Sequence, residues 1–376
     1  MLEDDTAAKQ SNAKLARLAS WAVHLEDYAY VVELQVPRQM AHKIFETLNT
    51  RGLRLSNGDL VKSYLLAGAR NHAAAEHVWG QVITALSDKN GSYEATLDDS
   101  LYHYYGSRYD KVVRKEPLFG AFVKRVKNED PLDVLEDLRV SAELYAGLVH
   151  PFDAPALASH SDDAKYSVQF MNGIRFRQLR FLLLAVLRDF PDGVSNAKDR
   201  RELQSDLVRR VASWSIRGLV TGRVGGQTAQ SVYVLGAKAM REGTAKDWKH
   251  VRKLFLNKQL FVTTRRAFER EFVTWRFDTA QGRALLVELE RAELGTKAAM
   301  KLKGDLTLEH VLPRRPRAGT WGAFTGADRT VYPHRVGNFL LLAQPFNSSL
   351  EIAIGQPSGR KSALNKRLKR LSLSTH

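Results

Sequence analysis

Cysteine is absent from the 376 residues. Its absence excludes disulfides, zinc ribbons, iron–sulfur clusters and a thiol nucleophile. Long apolar runs are missing too. The strongest, Phe181–Leu187, falls far short of the roughly 20 residues that cross a membrane. The first residues, Met1-Leu2-Glu3-Asp4-Asp5, are acidic and lack an apolar stretch, which excludes a secretory signal. Acidic residues are the scarcer charge: 41 Asp+Glu face 57 Lys+Arg, a formal net charge of +16. These absences predict a soluble cytoplasmic protein with a polyanionic partner and no membrane segment. The 44% hydrophobic content is that of a folded chain, and the length allows two or three domains.

The positive charge is concentrated at the end. From Arg314 onward the basic residues are Arg314, Arg315, Arg317, Arg329, Arg335, Arg360, Lys361, Lys366, Arg367, Lys369 and Arg370, opposed by Asp328 and Glu351 alone. Such a run is either a solvated tail or a footprint for a phosphate backbone.

Periodicity organises the chain into three parts. Leu15, Leu18, Trp21, Ala22 and Leu25 predict a helix, Tyr28–Val36 a strand closed by Pro37, and Met40, Ile44, Phe45 and Leu48 a second helix. Arg51-Gly52 ends that helix, and Ser56 with Asp59 makes a capping box for a third. The middle is helical by pattern over Val78–Leu86, Leu118–Val126, Leu132–Leu148, Gln178–Leu187, Leu203–Ile216 and Val251–Phe255. Breaks fall at Asn90-Gly91, Pro151–Pro155, Pro191–Gly193 and Gly222–Gly226. The last hundred residues change character: a strand over Leu306–Leu312, a basic Gly- and Pro-rich loop over Arg314–Pro333, a strand over Val336–Ala343 and a helix start at Asn347-Ser348-Ser349.

Several motifs carry no chemistry. Gly222–Gln227 lacks the Lys-Ser/Thr of a phosphate loop, and His72 and His77 are five apart rather than the four that aligns two ligands on a helix. Tyr102-His103-Tyr104-Tyr105 reads as a packing cluster before it reads as a base-stacking surface. The strong constellation is Glu309-His310-Val311-Leu312-Pro313, then Gly337-Asn338-Phe339-Leu340-Leu341-Leu342, then Asn347. Hydrolysis of a phosphodiester needs a base that titrates near neutrality, which His supplies. It also needs a hard cation held by oxygen ligands. Adjacent on a strand, Glu309 and His310 point to opposite sides, so one can serve the metal and the other the water.

These residues resemble the ββα-metal module of the HNH (His-Me finger) nucleases, in the variant found in the C-terminal part of GmrSD-type modification-dependent restriction proteins. The resemblance implies that His310 is the general base and Glu309 the acidic metal ligand. It implies that Asn338 orients the base and that Asn347 binds the metal from a helix. Lys361 matches a downstream Lys of the same module, and the implied cation is Mg²⁺ or Mn²⁺. Independently, Ile44–Ser56 with Asp59, Leu60 and Lys62 resembles the closing motif of the ParB/sulfiredoxin-like N-terminal domain of the same proteins. The Asp-Gly-Gln-Gln-Arg motif that binds nucleotide in that domain does not occur here. Nucleotide binding is therefore not expected of this chain, which is expected to be the C-terminal portion of a longer protein or to have a late start.

The expected architecture is mainly α (α+β). Residues 1–68 form a partial N-terminal α/β domain, residues 69–249 a helical domain and residues 250–376 the nuclease domain. The expected function is metal-dependent cleavage or nicking of foreign or modified DNA in phage defence. Backbone contacts come from Arg314, Arg315, Arg317, Lys361, Lys366, Arg367, Lys369 and Arg370, and homo-oligomerisation is left open. The alternatives are a non-catalytic nucleic-acid-binding fragment of a longer defence protein, or an RNA nuclease.

Overall fold

The computed structural model describes residues 11–29, 55–111, 113–115, 117–190, 196–224, 226–257, 264–295, 306–315 and 321–343. The chain divides into two units, Met1–Arg54 and Leu55–His376. In the first, the described element is helix α1 (Ser11–Tyr28). It contains the expected helix and takes in Tyr28, which the pattern assigns to a strand. The rest of that strand, the following helix and the motif through Arg54 lie outside the described residues.

The second unit is built of helices whose starts are written in local chemistry. Before α2 (Asn57–Gly68), the Ser56 hydroxyl accepts from the Asp59 N–H at 3.1 Å and the Asp59 carboxylate accepts from the Ser56 N–H at 3.2 Å. This is the capping box expected from the sequence. Asn71 caps α3 (His72–Leu86), and Asp130 caps α6 (Pro131–Val149) with proline in the first turn. Between them lie α4 (Glu94–Tyr109) and α5 (Leu118–Val126). Then follow α7 (Asp162–Gly173), α8 (Arg180–Arg188), α9 (Ala197–Val220) and α10 (Gly226–Arg241). The series ends with α11 (Trp248–Asn257), α12 (Arg265–Thr274) and α13 (Thr279–Leu294). Among the described residues no helix is long and apolar enough to cross a membrane.

Helix α8 is the hub of the main core. Phe181, Leu182, Ala185 and Val186 are wholly buried, and α8 packs against α4, α6, α9 and α10. A helix apolar nearly all round has nowhere else to sit. Several polar side chains in this core are paired within it. The Asp137 carboxylate takes Arg188, Arg108 and the Tyr104 hydroxyl. The Arg180 guanidinium donates to the Tyr145 hydroxyl and to Asn172 Oδ1, each at 2.7 Å. Burial, then the nearby Arg180, push the His103 imidazole down to about 3, so it stays neutral. The cluster Tyr102–Tyr105 lies in α4 with His103, Tyr104 and Tyr105 buried, so it is a packing cluster, as its sequence suggests. His72 and His77 are exposed.

Helices α4, α7, α10, α12 and α13 go beyond those the apolar spacing singles out. From Ser100 to Ser107 in α4 every residue but Tyr102 is buried, so no polar side marks the period.

The C-terminal part carries a two-stranded antiparallel sheet, β1 (Leu306–His310) and β2 (Phe339–Ala343), with Leu308 opposite Leu341 and His310 opposite Phe339. The connection is not the plain loop expected. It contains helix α14 (Gly326–Val331), opened by a Thr325–Asp328 capping box, and a 3₁₀ turn at Tyr332–His334. Strand β2 starts later than the pattern suggests because Val336–Asn338 forms another 3₁₀ turn. Residues 316–320 and those from 344 onward, and with them the expected helix start at Asn347, lie outside the described residues.

Candidate active site

The hairpin is fastened to α13. Leu308 and Phe339 join Phe277 and Leu285 in a small second core. A Cβ at Gly282 of α13 would stand 2.6 Å from Phe339 Cε2 and 3.0 Å from Leu308 Cδ1. The helix comes this close because position 282 has no side chain. Arg283 Nε donates to the Leu306 carbonyl at 2.6 Å, tying the start of β1 to the same helix.

His310 closes β1. Its ring meets Phe339 edge to face, with centroids 5.2 Å apart at 82°. Its Nε2 accepts a hydrogen bond from Arg314 Nε at 3.3 Å, which selects the tautomer with the proton on Nδ1. The same guanidinium also donates to the Thr279 hydroxyl in the first turn of α13. Burial holds the His310 pKa below the usual imidazole value, and the charges of Arg314 and His334 lower it further. The imidazole is thus neutral at neutral pH, in the protonation state a general base requires.

Asn338 is buried and spends its amide on the chain beyond His310. Its Oδ1 accepts from the Leu312 N–H at 2.6 Å, and its Nδ2 donates to the Leu312 carbonyl at 3.0 Å and the Pro333 carbonyl at 3.5 Å. The Asn338 carbonyl accepts from the Val311 N–H at 2.9 Å. Asn338 therefore bears on His310 through the backbone two residues further on.

Glu309 stands opposite Leu340, on the other side of the strand from His310. Among the described residues its carboxylate has no hydrogen-bond or ion-pair partner. A half-buried, unpaired carboxylate suits a hard cation. No group of three His, Asp or Glu side chains converges among the described residues, so Glu309 is the one ligand of the expected pair described here. Arg314 and Arg315 are exposed. Asn347, Arg317, Lys361, Lys366, Arg367, Lys369 and Arg370 lie outside the described residues.

Three contributors escape a reading of the motifs alone: Thr279, which anchors Arg314; His334, which adds positive potential at His310; and Gly282, which admits the hairpin. The Asp278-Thr279-Ala280-Gln281 capping box was readable as a helix start, but its place beside His310 was not.

The arrangement is a neutral imidazole at a strand end in contact with a guanidinium, and on the opposite face of the strand a carboxylate with no partner among the described residues. Residues 262–363 match the family model described as GmrSD restriction endonucleases, C-terminal domain. The matched segment contains the hairpin, His310, Glu309, Asn338 and Arg314. No curated protein matched the chain.

Proposed function

We propose that this chain is a metal-dependent endonuclease that cleaves or nicks DNA, with foreign or modified DNA as its target in phage defence. The observation that carries the reading is the neutral His310 at the end of β1, next in sequence to a Glu309 without a partner among the described residues and followed by a backbone held by Asn338, inside the segment similar to the restriction endonucleases. Glu309, with Asn347, would hold Mg²⁺ or Mn²⁺, which supplies charge stabilisation at the scissile phosphate.

His310 takes the proton of the attacking water. In the free protein Arg314 occupies the nitrogen that must accept it. A phosphate competes for that guanidinium through stronger, charge-assisted hydrogen bonds. When Arg314 turns to the phosphate, Nε2 is released and the imidazolium that forms no longer faces an uncompensated positive charge. Arg315 and the expected Arg317, Lys361, Lys366, Arg367, Lys369 and Arg370 contact the backbone without reading bases.

The test is nicking of supercoiled plasmid DNA. The wild-type chain cuts with Mg²⁺ or Mn²⁺ and stops in EDTA. His310→Ala loses roughly 10²–10⁴ in rate while remaining folded. Wild-type rates in that variant, or undiminished cutting in EDTA, would sink the proposal.

A further inference from the structure

A second site lies away from the hairpin. Helices α9 and α11 enclose a cleft of about 360 Å³, within the range of small-ligand pockets. Its walls are set by helical spacing. Arg210, Ser213, Trp214 and Arg217 recur at three- and four-residue steps on α9, and Trp248 and Arg252 are one turn apart on α11. The two indoles meet edge to face, with centroids 5.6 Å apart, and both rest on the wholly buried Phe255. They form a rigid apolar corner, half open to solvent.

The cations around this corner are not equivalent. Arg210 is bound by both carboxylate oxygens of Asp206, at 2.7 and 2.8 Å. Arg217 and Arg252 have no carboxylate partner among the described residues. Arg217 lies over the Phe268 ring at 5.6 Å and Arg252 over Trp214 at 6.0 Å, near the outer limit of such contacts. Two exposed guanidiniums beside two half-exposed indoles is the composition that binds a planar base together with its phosphate.

We propose that this cleft takes one unpaired nucleotide of a DNA strand, its base on the Trp214–Trp248 corner and its flanking phosphates on Arg217 and Arg252. The inference rests on the nuclease reading for its substrate class. Unpaired is required because the corner offers a stacking surface, and the face of a base is covered inside a duplex. A strand rather than a free nucleotide follows from what adjoins the cleft. From Arg217 aromatic contacts run through the half-buried Phe268 and Phe272 of α12, 5.3 Å apart, to the buried Phe277 of the small core, whose Phe339 meets the His310 ring. A strand held at the corner can continue along α12 towards the hairpin. The cleft thereby selects locally opened or extruded nucleotides as the substrate class.

The test measures binding of the full chain in EDTA, so that cutting plays no part and the nicking assay reports separately on the hairpin. The probe is a fluorescent oligothymidylate of about 12 nucleotides, within the span of known single-strand sites. A duplex of the same length and thymidine monophosphate serve as comparisons. Trp248→Ala should weaken oligothymidylate binding about 5- to 150-fold, the loss of one stacked base. The duplex should bind unchanged. Because Trp248 also packs on Phe255, the surface pair Arg217→Gln/Arg252→Gln provides the second reading. It should flatten the slope of log affinity against log salt by about 1.4, two phosphates on a single strand. Wild-type binding and slope in both variants would overturn the assignment. So would equal losses for strand and duplex, or monophosphate binding as tight as that of the oligomer.

Discussion

Replacing Asn338 by alanine tests the link between the buried amide and His310. The variant removes the acceptor of the Leu312 N–H and the donor to the Leu312 carbonyl, at 2.6 and 3.0 Å, in a buried setting. A buried backbone group stripped of its partner costs about 1–3 kcal/mol. With some relaxation the two together cost about 2–4 kcal/mol, and the third hydrogen bond, at 3.5 Å, adds little. The cost falls on the hairpin, because Leu308 and Phe339 belong to the small core and not to the one around α8. Hydrogen exchange is the suitable assay, since it resolves local opening from global unfolding. Protection of the Leu312 amide and the β1–β2 ladder should drop about 30- to 1,000-fold. Amides of Val78 and Leu135 should be unmoved. Nicking should fall on the order of 10²-fold, the scale of a displacement of about 1 Å. Asn338→Asp should not rescue: it keeps an acceptor for Leu312 N–H but sets a carboxylate against the carbonyls of Leu312 and Pro333. Wild-type exchange at Leu312 together with wild-type nicking in Asn338→Ala would refute this account.

Other outcomes follow from the charges. As the proposed base, His310 acts in its neutral form, so activity should be lost as pH falls through its lowered pKa, and the acid limb of kcat/KM should lie below the ordinary imidazole value of about 6.5. Arg314→Gln removes a positive charge that opposes protonation, so the His310 pKa rises and the limb moves to higher pH; a limb that stays in place would show that Arg314 does not govern the base. Neutralising Lys366, Arg367, Lys369 and Arg370 together should flatten the salt slope of duplex binding by about 0.9 for each DNA phosphate that these side chains neutralise. It should weaken all sequences alike, and an unaltered slope would leave this run as solvated surface and turn attention to Arg314, Arg315 and Arg317.

Local chemistry made much of the chain legible. The capping box at Ser56–Asp59 is an exchange between residues three apart and needs no partner from elsewhere. The helices through Val78–Leu86, Leu132–Leu148 and Leu203–Ile216 carry a polar side that marks their period, and the structure has them. The β1 and β2 patterns were also visible, although β1 ends at His310 rather than Leu312 and β2 begins at Phe339 because Val336–Asn338 turns before it. Glu309, His310 and Asn338 stand out in the sequence by residue type, and the roles proposed for them come from the family resemblance.

What the spacing could not reveal is which groups meet. Asn338 touches Leu312 because the hairpin folds residues 26 apart onto each other. Arg314 reaches Thr279 because α13 packs under the sheet, an approach permitted by the bare backbone of Gly282. The His310 pKa is lowered by burial and by Arg314 and His334, neighbours assembled by that packing. Trp214 is an ordinary apolar position in the Leu203–Ile216 pattern and Trp248 lies just ahead of the Val251–Phe255 pattern, and they become one corner only when α9 and α11 lie side by side. Propensity, capping and periodicity act within a few residues and are encoded in order along the chain. Burial, electrostatic potential and the convergence of side chains are properties of three-dimensional neighbourhoods, and only the tertiary structure decided them.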